Sequence, residues 1–581
     1  MLLNSMMRLV IFVGFFALMG CQIDRQTLHH AKSVTELKKD AALTCPINDS
    51  IACAQDTAFN KLYASSQMND NNKMLILDHG EQSLLVRINL IRAAQKSIDI
   101  QTFIWNNDEA GNWVLAELIK AARRGVEVKI IGDQLYTMGN SWLMAELATI
   151  HKNFGFRLYN PVFSDAHTST FEFATAIACC LANLNRRMHN KAFVVDNRYA
   201  IVGGRNYSSR YFDWDGTFNY KDREVMAIGS VVDEIITSFD SFWESPHVLP
   251  LTHLNDVANR IINNQETQTD WNQPLPELAR ELSEQANDNS YIEQTFFKHF
   301  VAVDRVEYFS DTHDKPFNKE ARAVNKQLTE KFHDLFAQTE HRLLIQTPYL
   351  VFSRKARNMF KKLRKDHPEI DFQVSTNSLS STDAFYVYAI SLKHKRFYLK
   401  KLGMEIYEFK QRPGMIEQFF ATHQTNEHTR FGMHSKSFVI DHKISMIGSH
   451  NFDPRSDVLN TESGFIIYDR EFAAQLTASI EQDMLPENSW LVAAKEQIPF
   501  FSHISGFFAS ISRKLPIFDI WPFRYSTSYE LLPGKEPVGR DHPDFFEHYK
   551  AVGNFPDIDL PVKQIQTIII SAFGGFAEPI M

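Results

Sequence analysis

The chain carries one pattern twice: a His, one residue, a Lys, four residues and an Asp, followed by a small residue and an Asn. The first copy contains His189, Lys191, Asp196, Gly204 and Asn206, and the second contains His434, Lys436, Asp441, Ser449 and Asn451. Each residue of the second copy stands 245 positions after its counterpart. The distant triplet Ile-Gln-Thr at 100–102 returns at 345–347 with the same displacement. Two separate segments that shift together indicate a duplicated domain.

Each copy lies within alternating strand and helix patterns. The first half predicts strands at 97–105 and 126–133 around a helix at 111–124, then strands at 193–196 and 199–202. The second half predicts the same order at 343–351, 355–365, 372–375, 438–441 and 445–447. Such alternation is typical of an α/β layer fold. We therefore predict lobes at 75–254 and 303–485, joined by a polar linker at 255–302, with extensions at 21–74 and 486–581.

The repeated side chains suit a phosphate diester. On a strand, His189 and Lys191 point to the same face, as do their counterparts in the second copy. Two copies that face each other would bring together two imidazoles, two ammonium groups and two amide donors, Asn206 and Asn451. The small residues Gly204 and Ser449 let the backbone approach a ligand closely. This donor set fits an anion with several oxygens.

The same residues predict nucleophilic catalysis. The sequence has neither a phosphate-binding Walker loop nor a zinc-ligand spacing, so we expect no metal and no cofactor. One imidazole would attack phosphorus while the other protonates the leaving alkoxide, and the roles then reverse. The lysines and asparagines would stabilise the phosphoryl oxygens. Each imidazole needs an acceptor on its far nitrogen, and Glu224 and Glu462, which open similar stretches, are the candidates.

The N-terminus resembles an export signal. Arg8 precedes an apolar run at 9–19, and a small residue stands before Cys21, as in a bacterial lipobox. The resemblance implies a signal peptide at 1–20 and diacylglycerol on Cys21, with an ordinary signal peptide or a short membrane anchor as alternatives. The residue after Cys21 is Gln22, which by the lipoprotein sorting rule favours the outer membrane on its periplasmic side.

Export places the cysteines in an oxidising compartment. Cys45 and Cys53 either close a small loop or stay free thiols. Cys179 and Cys180 lie in an apolar run, which favours small buried residues over a redox pair. After residue 486, apolar residues at helical spacing over 504–515 suit either an interfacial helix or a helix packed on the body.

Composition narrows the function further. The net charge is −8, from 61 basic and 69 acidic residues, which argues against a protein whose main partner is nucleic acid. Five cysteines are too few for a disulfide scaffold. No uncharged apolar run reaches the roughly 18 residues of a membrane-spanning helix. The oligomeric state is not encoded in any of these patterns.

The doubled motif resembles the signature of the phospholipase D superfamily. Within it, the chain is similar to bacterial cardiolipin synthases, and the resemblance runs over about residues 75–485. The stretches that carry it lie at 98–108, 187–206, 239–245, 376–383 and 450–462. The resemblance implies two α-β-α sandwich lobes with mixed sheets, related by a pseudo-two-fold axis, with the active site at their interface. It also implies a phosphohistidine intermediate, with His189 as nucleophile and His434 as acid and base.

The expected activity is therefore phosphatidyl transfer in a membrane. Cardiolipin would form from phosphatidylglycerol, with phosphatidylglycerol or phosphatidylethanolamine as donor. Three alternatives remain: hydrolysis of phospholipids to phosphatidic acid, an exported nuclease, and an inactive envelope scaffold. Arg210 and Arg455, also 245 positions apart, hold either a second phosphate or a structural carboxylate.

Overall fold

The computed structural model describes residues 23–45, 53–414, 428–495 and 525–558. The predicted signal peptide with Cys21, the apolar segment at 504–515 and the C-terminal tail lie outside these ranges. Within the described residues, no helix is long and apolar enough to cross a membrane.

In the part of the chain that the structure describes, the strands form two large sheets and two small ones. In chain order they are β1 Asn72–Leu77, β2 Ser97–Thr102, β3 Glu127–Asp133, β4 Phe154–Tyr159, β5 Arg187–Met188, β6 Ala192–Val195, β7 Tyr199–Gly203, β8 Phe218–Lys221, β9 Glu224–Ile228, β10 Val248–Pro250, β11 Val301–Val303, β12 Val306–Ser310, β13 Arg342–Gln346, β14 Asp371–Asn377, β15 Glu405–Phe409, β16 Arg430–Met433, β17 Ser437–Ile440, β18 Ile444–Gly448, β19 Asn460–Thr461, β20 Ser463–Ile467, β21 Ser489–Ala494, β22 Ser526–Leu531 and β23 Tyr549–Gly553.

Helices cover the faces of the large sheets. They are α1 Arg25–Lys38, α2 Phe59–Asn69, α3 Gly80–Ala93, α4 Glu109–Arg124, α5 Ser141–Thr149, α6 Thr170–Cys179, α7 Leu181–Leu184, α8 Val231–Trp243, α9 Asn255–Ile262, α10 Glu277–Asn287, α11 Asn289–Phe296, α12 Lys319–Ala337, α13 Arg354–Asp366, α14 Phe385–Lys401, α15 Pro454–Val458, α16 Arg470–Met484 and α17 Phe545–His548.

The two large sheets have the same topology. The first runs β10-β4-β3-β2-β6-β7-β9-β1-β11, and the second runs β12-β20-β18-β17-β13-β14-β15-β21-β22-β23. Read in opposite directions, eight positions correspond, from β10 with β21 to β1 with β12. The duplicated domain, the α/β class and the mixed sheets predicted from the sequence are confirmed, and strands β2 to β4 are parallel as are β13 to β15.

The lobes pack against each other through a shared apolar core. Its buried residues come from both large sheets and from α8 and α16, which lie between them. Two small parallel sheets also join the lobes: β5 pairs with β19, and β8 pairs with β16. Each small sheet takes one strand from each lobe, so the lobes are tied together at two places.

The predicted boundaries need three corrections. The polar stretch at 255–302 is not a linker, because α9, α10 and α11 pack into the core of the first lobe and β11 joins its sheet. The first lobe starts before residue 75, since β1 begins at Asn72. The second lobe continues past residue 485, because β21, β22 and β23 extend its sheet.

The four cysteines within the described residues form two pairs. Cys45 is joined to Cys53, one of the two alternatives given by the sequence. Cys179 is joined to its neighbour Cys180, and Cys179 is exposed at the end of α6. The prediction that these two neighbours are small buried residues is wrong, because α6 turns its apolar side outward.

Candidate active site

The histidine and lysine of each motif lie in a short segment between two strands, at the boundary between the lobes. His189 follows β5, and its backbone N–H donates to the carbonyl oxygen of Thr461 in the second lobe at 2.9 Å. His434 follows β16, and its N–H donates to the carbonyl oxygen of Lys221 in the first lobe at 2.7 Å. The small inter-lobe sheets thus place both histidines at the interface.

The first histidine is held by a carboxylate from the opposite lobe. Nδ1 of His189 lies 2.8 Å from Oε2 of Glu462, and both side chains are buried. Burial, helped by Lys191, lowers the pKa of His189 to about 3 against the opposing charge of Glu462. Burial opposes ionisation of Glu462, but the imidazole of His189 keeps its pKa below the ordinary value. Nε2 of a neutral imidazole is therefore left for chemistry.

The second histidine is held in the same way, but by Asp222. Nδ1 of His434 lies 2.6 Å from Oδ2 of Asp222, which belongs to the first lobe. Burial, together with Lys436, lowers the pKa of His434 against the charge of Asp222. The sites are therefore built reciprocally, because each lobe supplies the carboxylate that orients the other lobe's histidine.

The predicted role of Glu224 is wrong. Its carboxylate forms a buried ion pair with Arg87, at 2.6 Å and 3.0 Å, and accepts from Oγ of Ser83 at 2.6 Å. The guanidinium of Arg205 lies 3.7 Å from the same carboxylate. Glu224 therefore balances buried cations inside the first lobe, with its oxygens committed to partners other than a histidine.

The small residues support the carboxylates instead of contacting a phosphate with their backbone. A Cβ on Gly204 would overlap the carboxylate of Asp222, so only glycine lets that side chain pack there. At the matching place, Ser449 Oγ donates to Glu462. The backbone N–H groups of Gly204 and Ser449 donate to carbonyl oxygens within the sheets, at 3.1 Å and 2.8 Å. They are not free for a ligand, which corrects the predicted phosphate-binding role.

Both asparagines are buried at the site. Oδ1 of Asn206 accepts from the N–H of Ile104 at 3.0 Å, and its Nδ2 makes no hydrogen bond of normal geometry within the described residues. In Asn451 the buried Oδ1, an acceptor, is left without a partner in the described part of the chain. The spare N–H of Asn206 is therefore suited to donate to a ligand oxygen, whereas the spare Oδ1 of Asn451 is suited to accept from a ligand hydroxyl.

The lysines bring positive charge into a desolvated site. Nζ of Lys191 donates to the carbonyl oxygen of His189 at 2.7 Å, and Nζ of Lys436 lies 2.9 Å from Nδ1 of His434. Burial lowers the pKa of Lys191 to about 7, against the attraction of Glu462. Burial likewise lowers the pKa of Lys436 to about 8, against the attraction of Asp222. An anionic ligand would restore the charge that burial disfavours.

These lysine pKa values predict an alkaline limit on activity. We expect kcat/KM to fall as the pH rises through about 7 to 8, because Lys191 and Lys436 there lose the protons that attract a diester. The measurement is a pH profile between 5 and 10 on a substrate that does not titrate there. A profile that stays flat to about pH 10 would contradict the assignment of both lysines as substrate-binding ammonium groups.

The two motif aspartates lie far from the histidines. Asp196 follows β6 at its distant end and accepts from the backbone N–H groups of Gln95, Lys96 and Ser97 at 2.7–3.0 Å. Asp441 accepts in the same way from residues 340–342 at 2.7–2.9 Å. The predicted catalytic role of both aspartates is wrong. Each stands at the far end of a strand that begins beside its histidine, and a strand advances about 3.3 Å per residue.

Replacing Asp196 with alanine should therefore weaken folding and spare chemistry. Loss of the acceptor leaves backbone donors unsatisfied and should lower the free energy of unfolding by about 1–3 kcal/mol. Urea unfolding checks the first effect, and kcat per folded molecule checks the second. Asp441→Ala is the matched variant in the second lobe. Full stability with lost activity in either variant would restore the catalytic assignment.

The arginine pair lies beside the site without a shared partner. Nε of Arg210 is 3.2 Å from Oδ2 of Asp215, and the side chain is half-exposed. Nε of Arg455 donates to Oδ1 of Asn460 at 3.3 Å. Of the two alternatives from the sequence, the structural carboxylate is present for Arg210.

Sequence reasoning missed Asp222 and the residues that flank it. Lys221 forms an ion pair with Asp483 of the second lobe, and Arg223 donates to Gln346 and Ser437 there. Asp222 therefore sits between two cations that both reach across the interface. The signal was present in the charged run at 221–224, but nothing in the sequence says which lobe each side chain meets.

The described residues lack the ligand arrangements that bind metal ions. Among the described residues, no group of three or more His, Cys, Asp and Glu side chains is arranged to hold a metal ion. The site carboxylates are instead each committed to an imidazole.

Comparison with known proteins identifies the family. Residues 87–243 and 332–484 match the family described as "Cardiolipin synthase, PLD-like domain". A cardiolipin synthase C from Escherichia coli is 31% identical over 415 residues, which is 69% of this chain and 82% of that one. An uncharacterized protein from Helicobacter pylori is 29% identical over 75% of this chain and 84% of its own length.

Among solved structures, a phosphatidylserine synthase from Haemophilus influenzae matches with a TM-score of 0.48 at 15% identity. It covers 74% of this chain and 90% of that one. The chain belongs to the cardiolipin synthase-like family of the phospholipase D superfamily, an enzyme family of phosphatidyl transfer.

Proposed function

We propose that the protein makes cardiolipin by two phosphatidyl transfers at this site. The observation that carries the proposal is the reciprocal pair of imidazoles, each with Nδ1 on a carboxylate of the other lobe. That arrangement fixes the tautomer of both rings and leaves two Nε2 atoms for one phosphorus. The membership in a family of phosphatidyl transfer supports the substrate class.

In the first transfer, Nε2 of His189 attacks the donor phosphorus. The bond between phosphorus and the head-group oxygen breaks, and His434, which enters the step as an imidazolium held by Asp222, gives that oxygen its Nε2 proton. Glycerol leaves if phosphatidylglycerol is the donor, and ethanolamine leaves if phosphatidylethanolamine is. We assign His189 as nucleophile because the resemblance to the phospholipase D superfamily implies that role, and burial, which lowers its pKa to about 3, keeps the ring neutral as a nucleophile must be.

In the second transfer, a hydroxyl of phosphatidylglycerol gives its proton to His434 and attacks phosphorus. The bond between phosphorus and His189 breaks, which releases cardiolipin and restores the free enzyme. Lys191 and Lys436 balance the phosphoryl charge in both steps. Water in place of the acceptor gives phosphatidic acid, so the acceptor decides between transfer and hydrolysis. Diacylglycerol on Cys21 would keep the site next to its substrate.

A product assay tests the proposal. The full chain is incubated with phosphatidylethanolamine and phosphatidylglycerol vesicles in EDTA, beside His189→Ala and His434→Ala. Cardiolipin in the wild type alone supports the proposal, and the head group released identifies the donor. Phosphatidic acid alone would make the protein a hydrolase. No lipid product from folded protein would overturn phospholipid chemistry and favour a nuclease or a scaffold.

A further inference from the structure

Exposed apolar side chains gather at one edge of the molecule. Most large apolar residues are buried, but six that lie beyond the strand ends near the histidines are 40–81% exposed. We call them the rim surface: Tyr136, Phe171, Phe173, Ile177, Phe385 and Tyr386. The first four belong to the first lobe and the last two to the second, so the surface spans the interface.

Helix α6 supplies half of the rim surface, and its large apolar side chains face solvent instead of the protein interior. A helix on a protein surface normally packs its large apolar residues inward. In α6 the buried residue is Ala176, whereas Phe171 is 81% exposed and Ile177 is 48% exposed. Helix α6 therefore exposes large apolar side chains to solvent. An exposed apolar patch of this kind is typical of an interaction surface.

Helix α6 is anchored beside the catalytic residues. It lies in the connection that leaves β4 and returns at β5, just before His189. Ahead of the helix, Nε2 of Gln134 donates to Oγ1 of Thr168 at 2.8 Å. After it, Nη2 of Arg187 donates to the carbonyl oxygen of Asn183 at 3.1 Å. Both contacts come from residues that flank the site, so α6 stands at its edge.

Aromatic contacts connect the first histidine to the rim surface. The ring of Phe103 lies 4.9 Å from that of His189 and 4.5 Å from that of Tyr136. Tyr136 is near enough to Tyr386 of the second lobe to act on it electrostatically. On the other side, Tyr220 packs 5.2 Å from His434.

Positive charge accompanies the apolar side chains. Arg210 follows directly on the segment that bears Asn206, and it acts electrostatically on Tyr220 beside His434. Arg455 acts in the same way on Tyr386. One arginine from each lobe is thus close to a tyrosine, Arg210 to Tyr220 beside His434 and Arg455 to Tyr386 of the rim surface. Apolar side chains beside cations match the order of acyl chains and phosphates at a bilayer surface.

We propose that the rim surface docks on a phospholipid bilayer, with the side chains of α6 and the start of α14 in the acyl boundary. The inference rests on the proposed function, since a lipid substrate must leave the bilayer to reach the histidines. The charge of Arg455, whose hydrogen-bond partner Asn460 is neutral, favours an anionic bilayer over an apolar protein partner. Docking here opens the site directly toward its substrate.

Photocrosslinking in vesicles tests the docking. A benzophenone side chain replaces Phe171 in one full-length variant and Phe385 in a second. The control carries it at Met68, which is 80% exposed at the end of α2, just before β1 begins, whereas the rim residues of the first lobe follow the ends of β3 and β4. Bound protein is floated with phosphatidylglycerol and phosphatidylethanolamine vesicles and then irradiated. We expect lipid adducts at both rim positions, about tenfold above those at Met68.

The outcomes separate docking from catalysis. The crosslinks should persist in a His434→Ala background, where turnover is lost. Adducts without any lipid product would keep the docking and overturn the proposed function. Product without adducts at either rim position would overturn the docking and keep the function. Adducts with a second protein chain in place of lipid would also overturn the docking.

Discussion

Replacing His434 with alanine should block cardiolipin formation and yet spare the first chemical step with one kind of donor. A glycerol leaving group needs the proton of His434, so its transfer should slow by about 10²–10⁴-fold. A 4-nitrophenyl leaving group needs no proton, and the variant should release it in a first turnover close to the wild-type rate. His189→Ala lacks the nucleophile and should lose about 10⁴-fold or more with both donors.

A rapid-mixing experiment with 4-nitrophenyl phosphatidate measures this difference. The expected result for His434→Ala is a burst of nitrophenolate equal to the enzyme concentration, with the phosphatidyl group retained on His189. The control is His189→Ala, which should show neither burst nor label. A burst in His189→Ala that is missing in His434→Ala would exchange the two roles.

Asp222→Asn should reduce catalysis strongly and lower stability less than the loss of an arginine's counter-charge does, because His434 and Lys436 can release their protons. The amide keeps the shape of the side chain but removes the charge that fixes the tautomer of His434 and stabilises its imidazolium. We expect kcat to fall by about 10⁴-fold, as for the orienting carboxylate of a catalytic triad. Steady-state kinetics on vesicles measures kcat, and KM should change little.

Glu224→Gln is the matched control for Asp222→Asn, with the opposite signature. The change leaves the buried guanidinium of Arg87 without its counter-charge, which should cost about 3–5 kcal/mol of unfolding free energy. Its folded fraction should keep near-normal kcat, because the carboxylate touches Arg87 and Ser83 and not a histidine. Equal catalytic losses in both variants would contradict the reciprocal arrangement of carboxylates.

The sequence predicted the sheet architecture well because the repeat fixes it. A displacement of 245 residues holds from the strand near residue 100 to the motif near residue 189. Matching strands therefore had to occupy matching places, from β2 with β13 to β7 with β18. The predicted α/β lobes follow from this correspondence.

The partner of His434 was missed because of a two-residue misalignment. The sequence comparison matched Glu224 with Glu462 by residue type. In the sheets, Gly203 pairs with Glu224, whereas its counterpart Gly448 pairs with Gly464. The structural counterpart of Glu462 is therefore Asp222. Strand pairing is a long-range contact, and residue identity alone does not report it.

The linker prediction failed because polarity is a poor guide for helices that bury one narrow face. Helix α10 is largely polar, yet Ala279, Leu282 and Ala286 are buried against the first lobe. Nδ2 of Asn89 also donates to the carbonyl oxygen of Ala286 at 2.9 Å. Three buried small or aliphatic residues and one hydrogen bond hold this helix, and so few apolar residues hardly change the polar composition of the segment.

The configuration at phosphorus tests the central claim most directly. A phosphatidyl donor made chiral with sulfur and an oxygen isotope is converted by the full-length protein, and the configuration of the product is determined by phosphorus NMR. Two in-line displacements, first by His189 and then by the acceptor, predict retention. Inversion would mean a single displacement without a phosphohistidine and would contradict the account.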